Sequence, residues 1–173
     1  MAEVDLLLLR HGIAEPRGPG VEEEARALTA EGHQRTRLIC QRALALGLKA
    51  SRLVSSPLLR ATQTAEIAVA AGLAPLFTTH HSLAPGGDPF PLLQELCCQG
   101  DGDGHQRWIL VGHEPDLGFL ASRLLAAPPG AVALKKAGLA LLHWNQIPSP
   151  SAPIPSGQAQ LTLLLTPRVL IGS

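Results

Sequence analysis

Four side chains in this sequence, Arg10, His11, Arg60 and His113, are of the types needed to bind and attack a phosphoryl group. A neutral imidazole nitrogen is a nucleophile, and guanidinium groups form paired hydrogen bonds with phosphate oxygens. The four residues are far apart in the sequence, so only the fold can bring them together. We therefore looked for the elements that would place them at one site.

Each histidine lies beyond a short apolar segment with one residue in between, residues 4–9 for His11 and residues 108–111 for His113. Such runs are typical of central strands with both faces covered. Arg60 lies in the first turn of a predicted helix that follows a third strand, residues 52–55. Ligands of open α/β sheets bind beyond the carboxyl ends of the strands, so the sequence predicts that these side chains converge on an anion, most naturally phosphate.

The remaining pattern alternates short strands with helices. Thr29 is expected to cap a helix that ends near Gly47 and buries Ile39, Cys40, Ala43 and Leu44, and Ser56 is expected to cap the next helix. The other predicted helices are residues 58–71, a segment through Leu92, Leu93 and Leu96, and a segment from Pro115 to about Ala127. The other predicted strands are residues 76–79, 138–142 and 161–165. This order predicts a three-layer α/β/α sandwich around a largely parallel sheet of about six strands. Residues 148–157, rich in Pro and Ser, are predicted to be a flexible surface loop.

Composition narrows the class of protein. The chain has 173 residues, 46% of them hydrophobic and 16% charged, with 14 basic and 14 acidic side chains. These values exclude a disordered chain and argue against a nucleic-acid or membrane-surface protein. The length suits a single domain over residues 1–173, and we expect a monomer. We expect a cytoplasmic location, because the N-terminus has no signal-peptide pattern and no apolar stretch is long enough to span a membrane. The three cysteines and seven histidines lack metal-ligand spacing, so neither a metal nor a cofactor is expected.

The motifs around these residues resemble the histidine phosphatase superfamily, which includes phosphoglycerate mutases and acid phosphatases. Further motifs, in the same order, resemble its small SixA-type phosphohistidine phosphatases. The matching segments are residues 9–12, 28–32, 56–61, 83–88, 111–115, 135–138 and 165–167. The resemblance covers nearly the whole chain and implies a phosphoglycerate mutase-like fold.

The resemblance also implies roles. His11 would attack phosphorus and become a transient phosphohistidine, Arg10 and Arg60 would clamp the phosphoryl oxygens, and His113 would donate a hydrogen bond to them. Arg26 lies where SixA-type chains also carry an arginine. Its side chain is expected either to contact phosphate or substrate or to be a solvated surface arginine, and the sequence does not decide between the two.

Many family members carry a carboxylic acid that protonates the leaving group, and the comparable stretch here, residues 82–85, has none. The nearest carboxylate is Asp88, which is better placed as a helix cap before Pro89, although a second role as the acid stays open. Imidazole is a far better leaving group than an alkoxide, so the missing acid favours phosphohistidine as substrate.

The expected function is therefore a metal-independent phosphohistidine phosphatase of signal transduction, whose substrate is a phosphorylated histidine-phosphotransfer domain or histidine kinase. A shallow site is expected for such a protein substrate. The alternatives are a phosphatase for small metabolite esters and a non-catalytic phosphate-binding regulatory module.

Overall fold

The computed structural model describes residues 3–99, 104–144, 154 and 156–172. Its strands are β1 (Val4–Arg10), β2 (Arg52–Ser55), β3 (Thr78–Thr79), β4 (Gln106–Gly112), β5 (Leu139–Trp144) and β6 (Ala159–Leu165). Its helices are α1 (Ala30–Ala45), α2 (Leu59–Ala70), α3 (Phe90–Cys98), α4 (Asp116–Leu124) and α5 (Pro167–Ile171), with a short 3-10 helix at His81–Leu83.

The six strands form one mixed sheet in the order β3-β2-β4-β1-β5-β6. The pairings from β3 to β1 are parallel, whereas β5 is antiparallel to both β1 and β6. Strands β1, β2 and β4 therefore end at the same edge of the sheet. The predicted α/β architecture with about six strands and a largely parallel sheet is confirmed.

Helices cover both faces of the sheet, as the leucine run of β1 requires. Successive side chains of a strand point to opposite faces. Leu6 and Leu8 belong to a core cluster with leucines of α3 and α4, whereas Leu7 and Leu9 belong to a second cluster with α1 and α2. All four leucines are almost fully buried, so β1 is fixed in the middle of the sandwich.

The end of β1 is fixed closely to α1 by two glycines. A Cβ on Gly32, in the first turn of α1, would lie 2.0 Å from the main-chain oxygen of Ile13, and a Cβ on Gly12 would lie 2.3 Å from Oγ1 of Thr36. The loop carrying His11 can therefore pack against α1 only because these positions have no side chain.

Some predicted boundaries and caps are wrong. Thr29 does cap α1, with its hydroxyl accepting from Gly32 N at 2.9 Å. Leu44 is partly exposed, because it faces away from the sheet. Ser56 is not the cap of α2: the helix begins at Leu59, and the Ser56 hydroxyl contacts His113 instead.

Three further differences concern the ends of elements. The strand predicted at residues 76–79 is reduced to β3, and Leu76 is exposed. Helix α4 ends at Leu124 rather than near Ala127, and α5 was not predicted because its five residues are too few to show periodicity. Most of the loop predicted at residues 148–157 lies outside the described residues.

Candidate active site

His11 lies just beyond the end of β1, with its ring orientation fixed by the main chain. Its Nδ1 is 2.7 Å from the carbonyl oxygen of Gly12. A carbonyl oxygen can only accept, so Nδ1 carries the proton and Nε2 keeps its lone pair. The Nε of Arg60 donates to this Nε2 at 3.3 Å. The unprotonated ring nitrogen thus faces the guanidinium expected to bind phosphate.

Arg60, in the first turn of α2, is 1% exposed, and each of its guanidinium nitrogens has a partner. Besides the bond to His11, its Nη1 donates to the main-chain oxygen of Glu23 at 2.7 Å and its Nη2 donates to Oε1 of Glu23 at 2.8 Å. Glu23 lies in the loop between β1 and α1 and was not selected from the sequence. Its carboxylate also pairs with Arg17 and Arg26, which lowers its pKa to about 2 and keeps it ionised.

His113 follows β4, and its ring centroid is 5.1 Å from that of His11. Its Nε2 is 2.7 Å from the hydroxyl oxygen of Ser56, which also accepts from Leu58 N at 3.3 Å. Its Nδ1 is buried and has no hydrogen-bond partner among the described residues. An anion in the pocket favours the tautomer with the proton on Nδ1, in which Ser56 donates to Nε2.

Arg10, the last residue of β1, and Glu114, which follows His113, form a second side of the site. Nη1 of Arg10 donates to the carbonyl oxygen of Leu134 at 2.8 Å, while its buried Nε has no partner in the part of the chain that the structure describes. Oε1 of Glu114 accepts from Leu134 N at 3.1 Å. Burial raises the pKa of the Glu114 carboxyl, although the main-chain bond from Leu134 and the charge of Arg10 oppose this rise.

The environment keeps both imidazoles neutral. Burial lowers the pKa of His11 to about 3 against the opposing effect of its bond to Gly12, and the charges of Arg60 and Arg10 lower it further. Burial and the charge of Arg60 likewise lower the pKa of His113 to about 4. Desolvation therefore acts in the same direction as the neighbouring cations. At neutral pH His11 has a free lone pair, and His113 can donate from one nitrogen only.

These groups line a cleft of about 480 Å³. The cleft-lining residues include the predicted Arg10, His11, Arg60, His113 and Arg26, together with Arg17, Glu114 and Lys136. Arg26 is not a solvated surface arginine, because its side chain is 11% exposed and bonds to Glu23. Asp88 is not among the lining residues of the cleft. Its Oδ1 accepts from Phe90 N at 3.1 Å, but the N-cap residue of α3 is Pro89, so Asp88, the predicted cap, lies one residue before the cap position.

The expectation of a shallow site is not met at the nucleophile. His11 is 6% exposed and lies on the floor of the cleft. Sequence reasoning missed Glu23 and Glu114. Residues 22–24 are three consecutive glutamates, so nothing in the pattern singles out the middle one. Glu114 directly precedes Pro115, and this local pattern indicates only a favourable charge at a helix start.

Within residues 3–99, 104–144, 154 and 156–172, no group of three or more His, Cys, Asp or Glu side chains is arranged to hold a metal ion. The same part of the chain contains no helix with the length and apolarity needed to cross a membrane. The cationic side chains that line the cleft are those of Arg10, Arg17, Arg26, Arg60 and Lys136.

Comparisons with known proteins agree with this geometry. The family model of the histidine phosphatase superfamily (branch 1) matches residues 6–81. An uncharacterized protein from Picosynechococcus sp. is 40% identical over 145 residues, which cover 79% of this chain and 82% of that relative.

Similar solved structures include the protein histidine phosphatase SixA in complex with tungstate, with a TM-score of 0.76, 23% identity and coverage of 94% of this chain and 97% of that one. The mycobacterial glucosyl-3-phosphoglycerate phosphatase has a TM-score of 0.70 at 18% identity, with 93% and 98% coverage. A phosphoserine phosphatase mutant from Entamoeba histolytica has a TM-score of 0.69 at 16% identity, with 97% and 100% coverage.

The chain belongs to the histidine phosphatase superfamily. Its mostly parallel sheet is that of the phosphoglycerate mutase-like fold, and SixA-type phosphatases are among its structural neighbours.

Proposed function

We propose that this protein is a metal-independent phosphatase that removes the phosphoryl group from phosphohistidine, on a histidine-phosphotransfer domain or histidine kinase of a phosphorelay. The observation that carries this proposal is the neutral His11, which lines a cleft together with Arg10, Arg60 and His113. The buried Nδ1 of His113 has no hydrogen-bond partner within the described part of the chain. A nucleophile beside donors for an anion is the arrangement that phosphoryl transfer requires.

In the first step, the Nε2 lone pair of His11 attacks phosphorus. The bond between phosphorus and the substrate imidazole breaks, its electron pair stays on that nitrogen, and the nitrogen takes a proton from solvent. Arg10 and Arg60 hold the non-bridging oxygens, and His113 donates its Nδ1–H to one of them. Water then attacks phospho-His11, and the nitrogen–phosphorus bond breaks with its electron pair returning to Nε2. One water proton passes to solvent and the other leaves with phosphate, which restores neutral His11.

Leaving-group chemistry supports phosphohistidine over a phosphate ester. An alkoxide needs a proton from the enzyme, whereas imidazole, with a pKa near 6.5, leaves with much less help. Two carboxyl residues line the cleft: Glu114 accepts a main-chain hydrogen bond from Leu134, and Glu15 is exposed to solvent. Glu23, which contacts Arg60 beside the cleft, is kept ionised by three arginines. The similarity to a protein named as a protein histidine phosphatase points in the same direction.

A second candidate is a phosphatase for small metabolite esters, with Glu114 as the proton donor. The raised pKa of its buried carboxyl favours this alternative, because a protonated acid is needed to donate. Similar structures named as phosphoserine and glucosyl-3-phosphoglycerate phosphatases make small esters reasonable substrates.

The experiment measures phosphate release from a phosphorylated histidine-phosphotransfer domain and from a panel of sugar and alkyl phosphates. We expect fast release from the protein substrate and none with His11→Ala. Full activity of His11→Ala would refute the proposed nucleophile, and binding of phosphate without any turnover would establish the non-catalytic alternative.

Glu114→Gln separates the two substrates, with Glu66→Gln, an exposed carboxylate on α2, as the matched control. If esters are the substrates and Glu114 is the acid, the variant loses about 100-fold or more in ester hydrolysis. If phosphohistidine is the substrate, its hydrolysis is far less affected. An ester rate above the phosphohistidine rate, lost in Glu114→Gln, would replace the first proposal by the second.

A reducing cytoplasmic compartment suits the chain. Burial raises the pKa of the Cys40 thiol to about 12 and that of Cys97 to about 11, so both remain protonated packing groups. We propose that the protein acts there as a monomer.

A further inference from the structure

The side chain of Glu23 lies where the proposed site needs free donors. In a guanidinium, Nε–H and one Nη–H point to the same side and form the pair that binds two oxygens of one anion. In Arg60 these are Nε and Nη2. Nε donates to Nε2 of His11, and Nη2 donates to Oε1 of Glu23 at 2.8 Å. A carboxylate oxygen therefore holds one of the two positions that a phosphoryl group on His11 would use.

Two further arginines, both of which line the cleft, also hold this carboxylate. Nε of Arg26 donates to Oε2 at 3.0 Å and its Nη2 to Oε1 at 2.8 Å, while Nε of the exposed Arg17 is 3.2 Å from Oε2. These bonds do not depend on Arg60. If an anion took the Nη2 position, Glu23 would still be held by its other two partners and would remain close enough to return.

The side chain of Glu23 is not needed to hold Arg60 in place. Nη1 of Arg60 donates to the main-chain oxygen of Glu23 at 2.7 Å, and a substitution at residue 23 keeps that oxygen. The Arg60 side chain is itself only 2% exposed, so the residues packed around it also restrict its movement. The two contacts of Glu23 therefore have separable roles. Its main-chain oxygen positions the guanidinium through Nη1, whereas its carboxylate occupies the Nη2 donor that a phosphoryl oxygen would use.

We propose that the Glu23 carboxylate competes with phosphate for Arg60 and so weakens the hold of the site on inorganic phosphate, the product of the reaction. This inference rests on the proposed function. A substrate phosphoryl group, bound also through the rest of its protein, displaces the carboxylate. After hydrolysis, inorganic phosphate has no such additional contacts, and Glu23 returns to Nη2 and favours its release.

The test is binding of inorganic phosphate at neutral pH, measured by isothermal titration calorimetry, which needs no turnover. Glu23→Gln removes the charge but not the shape, and we expect it to bind phosphate about two- to fivefold more tightly, the range for a partly exposed ion pair. Glu24→Gln is the matched control, because Glu24 is exposed and uses only its main-chain oxygen, towards Leu59 N.

Glu23→Asp distinguishes occupation of Arg60 from net charge. It keeps the charge but is one methylene shorter, so it loses the contact with Nη2 and should also bind phosphate more tightly. Unchanged or weaker binding by Glu23→Gln would overturn the proposal, and so would wild-type binding by Glu23→Asp or equal tightening by Glu24→Gln. If no phosphorylated substrate is hydrolysed, the proposed function fails, yet the phosphate titration still decides whether Glu23 competes.

Discussion

Substituting Ser56 by alanine tests how a neutral histidine comes to donate from the required nitrogen. His113 has one ring proton at neutral pH because its pKa is lowered to about 4. The Ser56 hydroxyl oxygen is 2.7 Å from Nε2 and accepts from Leu58 N. When this hydroxyl donates to Nε2, it stabilises the tautomer in which the proton is on Nδ1. Without it, Nε2 is an unpaired acceptor in a buried place, and the proton on Nδ1 is no longer favoured.

The size of the effect follows from this geometry. His113 is 3% exposed, so water cannot readily replace the lost hydroxyl. Leaving a buried polar atom unpaired costs about 1–3 kcal/mol. If that cost applies to the transition state, kcat/KM falls by about 5- to 150-fold. The loss is expected mainly in kcat, because Nδ1 bonds to the group being transferred.

The assay compares phosphate release by Ser56→Ala and Ser55→Ala. Ser55 is also fully buried, but its hydroxyl donates to the main-chain oxygen of Ser56 rather than to the site. The rate loss due to Ser56→Ala should disappear in a His113→Ala background, and nitrogen NMR of the imidazole should show a shift of tautomer. An undiminished loss in that background would refute the argument, since Ser56 would then act without His113.

Two further predictions concern stability. Both His11 and His113 have folded-state pKa values below the usual histidine value of about 6.5, so the unfolded chain binds their protons first. The free energy of unfolding therefore decreases as pH falls from about 6.5 to 4, by up to about 1.4 kcal/mol per pH unit for each histidine. Denaturant titrations from pH 7 to 4 check this, and a slope unchanged in His11→Asn would contradict it. Gly32→Ala should destabilise the chain by about 2 kcal/mol or more, because the added Cβ would clash with the main-chain oxygen of Ile13. Thermal unfolding measures this loss, and a wild-type Tm would show that the loop carrying Ile13 moves away without a cost in stability.

The sequence alone predicted the part of the site that is attached to regular elements. His11 and His113 each follow a strand whose apolar run is readable, and parallel strands must end together. Thr29 was predicted correctly because its capping contact lies within a few residues. Ser56 has the same local pattern, but its hydroxyl serves a partner 57 residues away, which no local rule reveals.

Glu23 was missed for a different physical reason. Its position depends on Arg17, Arg26 and Arg60, and the loop that carries it has no periodicity to assign it a face. Glu114 was visible as a helix-start carboxylate, yet its burial, which raises its pKa, arises from packing against the segment around Leu134. Long-range contacts of loops are therefore what the sequence left undetermined.

The central place of β1 has a consequence for how the chain folds during synthesis. Its first residue, Val4, pairs with Gln106 on one side and with Trp144 on the other. Because β1 precedes both partner strands in the chain, its leucines stay uncovered until those strands have been synthesised. Such high contact order slows folding and prolongs the exposure of aggregation-prone segments. The surroundings of His11 are complete only after β4 and β5 have been synthesised and have paired with β1. Shorter nascent fragments therefore contain the proposed nucleophile but are expected to be inactive.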